Sequence, residues 1–340
     1  MFEFIRGQSP EQAIEQGVKL ATGLTDARSN QLTPELFAET ALRLTSGTDL
    51  RVRIRQADEL RDQGFGGITA IGAGSARQPV LLELWLGPSE TEPPSGALAF
   101  AGKGVTFDSG GLSLKSPTAM YSMHTDCAAA AAVFAGMLTL ADTDYDSPLY
   151  AVLPLVENIP GPTSARPGDV VRMRNGTGVE IVDTDFEGRV ILADALSLIC
   201  ESQPQSVVSF ATLTYQSIVA LGQEIGALLG RDEDLGSLVL EAAESAGEAM
   251  WALPWATRYE GYLKSIAPGA QLRNHPLNDT GRAITAALFL GQFVSQGIPY
   301  AHVDMAGPAL RSTPDGPLAT GYGVRTVVEV ARAWSQLQRA

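Results

Sequence analysis

PLYAVLPLVEN, residues 148–158, is the stretch whose reading decides the fold. Apolar side chains follow one another without the in-out polar alternation of a half-exposed sheet, so it reads as an interior strand covered on both faces. QSVVSFATLT at 205–214 has the same character, PYAHVDMAG at 299–307 supplies another strand, and residues 97–101 form a buried one. Helical patterns separate these runs: TDCAAAAAVFAGMLTLA at 125–141, whose alanine-rich face allows close packing, a helix from about 190 to 200, and a closing helix in GYGVRTVVEVARAWSQL at 321–337. Upstream, PEQAIEQGVKLATGL (10–24) and LTPELFAETALRL (32–44) predict two opening helices, the second with Thr33 as N-cap and Pro34 as first helical residue. LRVRIRQ (50–56) alternates as a strand, and GGITAIGAGSARQPVLLELWLG (66–87) reads as two strands parted by a glycine-rich turn. Strands alternating with helices predict an α/β fold with its sheet covered on both faces. There is no internal repeat, low-complexity tail or obvious linker between large domains.

Composition narrows the class. Of 340 residues, 45% are hydrophobic and 18% charged, enough for a large buried core. The net charge of -14, from 38 acidic against 24 basic residues, works against attraction to phosphate backbones, so nucleic acid is a poor partner. Cys127 and Cys200 lie in apolar helical runs and read as free buried thiols suited to a reducing cytoplasm. The opening MFEFIRGQSPEQ lacks a signal-peptide apolar region, and no uninterrupted apolar run approaches ~18 residues, so neither secretion nor a membrane span is expected.

Several chemistries are excluded. There is no phosphate loop of the G-x-x-x-x-G-K-[ST] type, no G-x-S-x-G elbow and no H-E-x-x-H; His124, His275 and His302 have no ligand spacing. Any metal must be held mainly by oxygen. Two clusters place acids beside apolar elements. In GKGVTFDSGGLSLK (102–115), followed by MHTDCAAAAAV (123–133), Lys103 and Asp108 flank a short segment leaving a buried strand, Lys115 follows a glycine pair, and Asp126 sits where a helix begins. In VDTDFEGRVILADAL (182–196), an extended backbone is expected to throw Asp185, Glu187 and Arg189 to one side. Taken singly, each has a plain alternative: Asp108 in a turn, Asp126 as an N-cap, Asp185 and Glu187 on a solvated strand face. Taken together they are costly to bury unpaired, and divalent cations in a two-metal site would answer the charge best.

The same segments carry a resemblance. DTDFEGR (183–189) resembles the N-T-D-A-E-G-R signature of the leucyl aminopeptidases, and the likeness runs through TGLTDARSNQLTPELFAETA (22–41), GGITAIGAGSA (66–76), GKGVTFDSGGLSLK, ENIPGPTSARPGDVV (157–171), ATLT (211–214) and ATGYGVRT (319–326). It implies a mixed, mostly buried central β-sheet sandwiched between helices, with N-terminal helices at 1–45 leading into a peptidase catalytic domain at 46–340, and with the family's N-terminal domain largely absent. It further implies two divalent metal ions, Zn or Mn, held by Lys103, Asp108, Asp126, Asp185 and Glu187. Asp108 and Glu187 would bridge both ions, Lys103 and Asp126 would serve the more exchangeable one, and Asp185 the tighter. Lys115 would polarise the scissile carbonyl, and Arg189 would hold bicarbonate as a general base toward a metal-bridging hydroxide. Met123, Thr212, Leu213, Tyr215 and Ala306 would line the substrate pocket. The implied function is removal of the N-terminal residue from peptides with a free N-terminus, by a cytoplasmic homo-oligomer, trimer or hexamer, with no membrane and no nucleic acid.

The pattern also departs from the family at four places, and Tyr215, the altered start of the helix after Asp126 and the absent domain support an alternative, a weakened relative acting as a binding or structural subunit. Asp183 and Phe186 replace the signature's asparagine and alanine, Cys127-Ala128-Ala129 stands in place of Met-Gly-Gly, and Tyr215 replaces a glycine that lines the cleft. Asp183 has no role in this reading.

Overall fold

The fold, seen in a computed structural model that describes residues 2–7, 9–143, 145–314 and 316–339, follows the apolar runs. Helices α1 (Pro10–Asp26) and α2 (Pro34–Thr45) open it, capped by the side chains of Ser9 and Thr33 and each with proline in its first turn. Then come β1 (Arg51–Arg55), α3 (Ala57–Asp62), α4 (Gly66–Gly72), β2 (Val80–Leu86), β3 (Leu98–Gly102) and β4 (Gly104–Asp108). A short α5 (Pro117–Met120) and a 3-10 turn at Met123–Thr125 lead into α6 (Ala128–Ala141), followed by β5 (Leu149–Asn158), β6 (Val170–Arg172) and β7 (Gly178–Glu180). The second half continues with α7 (Glu187–Glu201), β8 (Ser206–Ala211), α8 (Tyr215–Leu221), β9 (Gly226–Gly230), α9 (Glu233–Ser245) and β10 (Met250–Ala252). It closes with β11 (Leu272–Arg273), α10 (Arg282–Gly291), β12 (Tyr300–Asp304), the hairpin β13 (Leu310–Thr313) and β14 (Gly316–Ala319), and α11 (Val324–Arg339).

The central sheet runs β1-β2-β5-β3-β8-β12-β9-β10, with β4 also beside β5. It is mixed: β5, β3, β8 and β12 are parallel along the run, β1 pairs antiparallel with β2 and β2 with β5, and β9 is antiparallel to β12 but parallel to β10. Period-two alternation sends β3 and β5 side chains to two separate cores. Leu98, Phe100, Leu149, Ala151 and Leu153 join α1, α2, α6 and α11 on one face. Ala99, Ala101, Tyr150 and Val152 join α4, α7 and α10 on the other. The sheet is thus sandwiched between helices, as the run of apolar residues at 148–158 required. Helical residues Met123–Ala141 are long and apolar enough to cross a membrane by composition, but 94% of that window is buried in the fold, which is where a core helix belongs.

Three local expectations need correction. GGITAIG is not a strand but α4, whose Ile68 and Ile71 point into the second core. Residues 182–186 are not extended: they turn, and the helix starts at Glu187 rather than near 190. Phe107 and Asp108 do not merely leave a strand, since β4 itself pairs with β5 across a register shift between Val105 and Phe107.

Candidate metal centre

The parallel strands β4, β8 and β12 end on the same side of the sheet, at Asp108, Ala211 and Asp304, which is where open α/β sheets form ligand crevices. Lys103 occupies the break between β3 and β4. Its amide donates to the Phe210 carbonyl at 3.0 Å and its own carbonyl accepts from Ala130 at 2.9 Å, so the side chain is aimed by β8 and α6 together. The buried Nζ donates to the Thr212 carbonyl at 3.1 Å and lies 2.8 Å from Asp126 Oδ2 and 2.7 Å from Glu187 Oε1. Lys115 Nζ lies 2.5 Å from Asp108 Oδ2 and also pairs with Asp185 Oδ1. The seven residues that the sequence brings under suspicion therefore converge, and all seven line one cavity of about 470 Å³.

Local geometry explains each placement. Asp108 leaves the end of β4 into a turn in which Gly110 has φ +86° and Gly111 +63°, and a Cβ on Gly110 would stand 2.4 Å from the Ser113 carbonyl and 2.9 Å from Asp185 Oδ1. Asp108 Oδ1 accepts from the Gly110 amide at 2.9 Å and from Asn158 Nδ2 at 2.8 Å. Thr184 Oγ1 donates to the Gly110 carbonyl and accepts from the Ser113 amide, which ties the two acidic clusters together. Asp183, without a role in the sequence reading, makes the turn: its Oδ1 accepts from the Asp185 amide at 2.9 Å, an Asx-turn that breaks the apparent strand. Asp126 is not an N-cap. It follows the 3-10 turn, Cys127 takes the N-cap position of α6, and the Asp126 carboxylate instead accepts from Thr212 Oγ1 at 2.7 Å.

The electrostatics are those of crowded acids. Burial, with the repulsion of Asp108 and Glu187, pushes Asp185 up to about 7. Burial likewise pushes Asp126 up to about 7 against the pull of Lys103, and raises Glu187. Burial lowers the two lysines, but the surrounding carboxylates outweigh it and hold both well above the usual ammonium range. Arg189 is drawn down to about 9 by burial, and its Nε and Nη1 have no hydrogen-bond partner. The donor set fits divalent cations. Asp108, Asp185 and Glu187 each offer an oxygen within 4.8 Å of the others, Glu187 Oε2 is buried without a partner, and the remaining donors are a carboxylate and an amine.

Met123, Thr212, Leu213, Tyr215 and Ala306 line the same cavity, with Tyr215 70% exposed at the first position of α8. Sequence reasoning missed four residues. Asp304 is buried and accepts from the amides of Leu213 and Ala306 and from Thr214 Oγ1, so it positions that wall; an acid inside the apolar run at 299–307 was the available signal. His302 donates or accepts through Nδ1 with Ser209 Oγ at 2.8 Å, and burial and nearby Arg189 push it down to about 3. Phe186 packs tilted against His275, 4.5 Å between centroids, and Arg282 enters the cavity from α10 with no local sequence signal. Cys127 is buried, whereas Cys200 is only half-buried.

An α/β sheet with an oxygen-rich, lysine-paired acidic cavity at its carboxyl edge defines a metallopeptidase-type catalytic domain. The chain belongs to the cytosol aminopeptidase family, whose catalytic-domain model matches residues 19–328. It is 38% identical to a probable cytosol aminopeptidase of Roseiflexus castenholzii, over 98% of this chain and 68% of that protein. It is 39% identical to one from Streptomyces coelicolor, over 96% of this chain and 64% of that protein. Among solved structures, the bottromycin maturation enzyme BotP in complex with Mn superposes with a TM-score of 0.89 at 38% identity, covering 96% of this chain and 72% of that one. The chain thus spans about two thirds of the length of the curated relatives it matches.

Proposed function

We propose that this chain is a metal-dependent aminopeptidase that releases the N-terminal residue of peptides. The observation that carries the reading is the convergence of Lys103, Asp108, Asp126, Asp185 and Glu187, with Glu187 Oε2 left unpartnered, in a cavity that also holds Lys115 and Arg189. The five residues would hold two divalent cations, Mn or Zn; the Mn in the BotP complex favours trying Mn first. When bound, such ions lower the pKa of water and offset charge that develops on an attacked carbonyl.

The chain's own groups do the rest. Lys115, held well above the usual ammonium range by Asp108 and Asp185, would keep its proton and offer a cation to the scissile carbonyl oxygen. Arg189, with two donors unpartnered, would hold bicarbonate or another small anion able to accept a proton. Asp304 accepts the Leu213 amide and so fixes this wall of the cleft, along which the substrate main chain would lie. Tyr215 stands at the mouth and restricts the first side chain. The relatives' names support a cytoplasmic setting, and the homo-oligomer implied by the resemblance is checked by light scattering.

The test is direct. Purified protein loaded with Mn or Zn is expected to bind about two ions per chain and to hydrolyse leucine amide or members of a dipeptide panel. Absence of both ions and hydrolysis would instead favour a binding or structural subunit, the reading to which Tyr215 and the altered helix start at Cys127-Ala128-Ala129 lend support.

A further inference from the structure

We propose that Arg282 gives this cavity a carboxylate-binding subsite, so that the chain selects short peptides with a carboxylate close to the scissile bond. The inference rests on the aminopeptidase reading and names its substrate class. Arg282 begins α10, and its guanidinium carbon lies 5.5 Å from the Phe186 ring centroid, while that of Arg189 lies 4.6 Å from the same ring. Phe186 stands where the family signature has alanine, which would offer neither arginine an aromatic face. The ring, backed by His275, is thus a platform that brings a second guanidinium into the cavity beside the first.

Neither cation is fully answered by the protein. Among the described residues, Arg282 Nε is buried without a partner and its Nη2 pairs with Asp279 alone, whose side chain is 70% exposed and therefore screened by solvent. Arg189 Nε and Nη1 are equally unpartnered. Four carboxylates and four cationic side chains line the cavity. Two divalent ions would match the four lining carboxylates, and a lysine that ligates is neutral, so Lys115, Arg189 and Arg282 would remain as cations on the lining, with Asp304 behind Arg189 and the exposed Asp279 beside Arg282. A small anion at Arg189 answers one of them. Arg282 is the cation left for the substrate, and its planar fork fits a carboxylate better than any other group a peptide carries. A cavity of about 470 Å³ suits a ligand of two residues, which brings either an acidic first side chain or the C-terminus of a dipeptide within reach.

Uncleavable reduced-amide dipeptides separate these two sources. Calorimetry with Mn-loaded protein would compare the leucyl-glycine analogue with its C-terminal amide, and the aspartyl-alanine amide analogue with its asparaginyl counterpart. At least one acid is expected to bind about tenfold tighter than its neutral partner, and the pair that discriminates identifies the source. Arg282→Gln is expected to reduce that ratio to about threefold or less, and Arg282→Lys to retain most of it. Equal binding within both pairs, or a ratio unchanged by Arg282→Gln, overturns the proposal. Hydrolysis of the cleavable parent peptides is followed in parallel: discrimination without hydrolysis keeps the subsite and removes the aminopeptidase reading, and hydrolysis without discrimination does the reverse.

Discussion

At the residue scale, the glycine of the signature is as constrained as its acids. A Cβ on Gly188 would stand 2.7 Å from Lys103 Cδ and Cε and 2.8 Å from Nζ, so only glycine lets the lysine lie across the start of α7 and reach both Asp126 and Glu187. Gly188→Ala is therefore expected to fold, because the displaced atoms are the end of a flexible side chain, but to weaken metal binding by about 10-fold to 100-fold. Calorimetric titration with Mn checks this. Asp126→Asn removes a charge without removing core volume, and is expected to lower turnover about 100-fold or more with one ion lost from the metal content. Unchanged metal content and turnover in that variant would take Asp126 out of the ligand set. Asp126 was legible in the sequence as a member of a cluster and Gly188 only as part of the signature, but the geometry of neither was. Every-second-residue charges at 183–189 imitate a strand, and what breaks it is one hydrogen bond from the Asp185 amide to the Asp183 side chain.

At the element scale, the interior strands were legible because continuous apolar character at 97–101, 148–158 and 205–211 leaves few alternatives for a buried run. Helix α4 was not, because the partner that makes it helical is 126 residues away. Its N-cap, Phe65, has no side-chain acceptor, and the buried Asp194 of α7 takes the Ile68 amide at 3.0 Å, while also accepting the Arg174 amide at 2.7 Å. Gly67 is needed for this approach, since a Cβ there would stand 2.7 Å from the Val190 carbonyl. Asp194→Ala orphans these amides and is expected to cost about 3 kcal/mol of unfolding free energy. Burial wins over the hydrogen bonds and pushes Asp194 up to about 7. A carboxyl whose folded value is raised stabilises fully below its unfolded value and loses that contribution as pH rises through the folded one. The cost of Asp194→Ala is therefore larger at pH 5 than at pH 8, which urea unfolding at the two pH values measures.

At the scale of the whole molecule, the sheet holds two separate cores on its faces and collects its acids at one edge, and that edge is where pH and metal act on the entire fold. Asp126 and Asp185, both pushed up to about 7, bind protons in the folded protein that the unfolded chain releases at much lower pH. Without added cations, folding is thus favoured by those protons below the unfolded carboxylate range and loses their support as pH rises toward 8. Divalent cations need the same oxygens ionised, so protons and cations compete for one set of ligands. It follows that Mn raises the midpoint of thermal unfolding more at pH 8 than at pH 6. At pH 8 a concentration of 100 times the dissociation constant would contribute about 2.7 kcal/mol, and at pH 6 the same concentration contributes less because the dissociation constant is larger. Thermal scans of the protein with chelator and with Mn at both pH values measure this difference. A shift equal at the two pH values would mean that Asp126 and Asp185 do not give up protons to the ion, and would assign the bound Mn to another part of the surface.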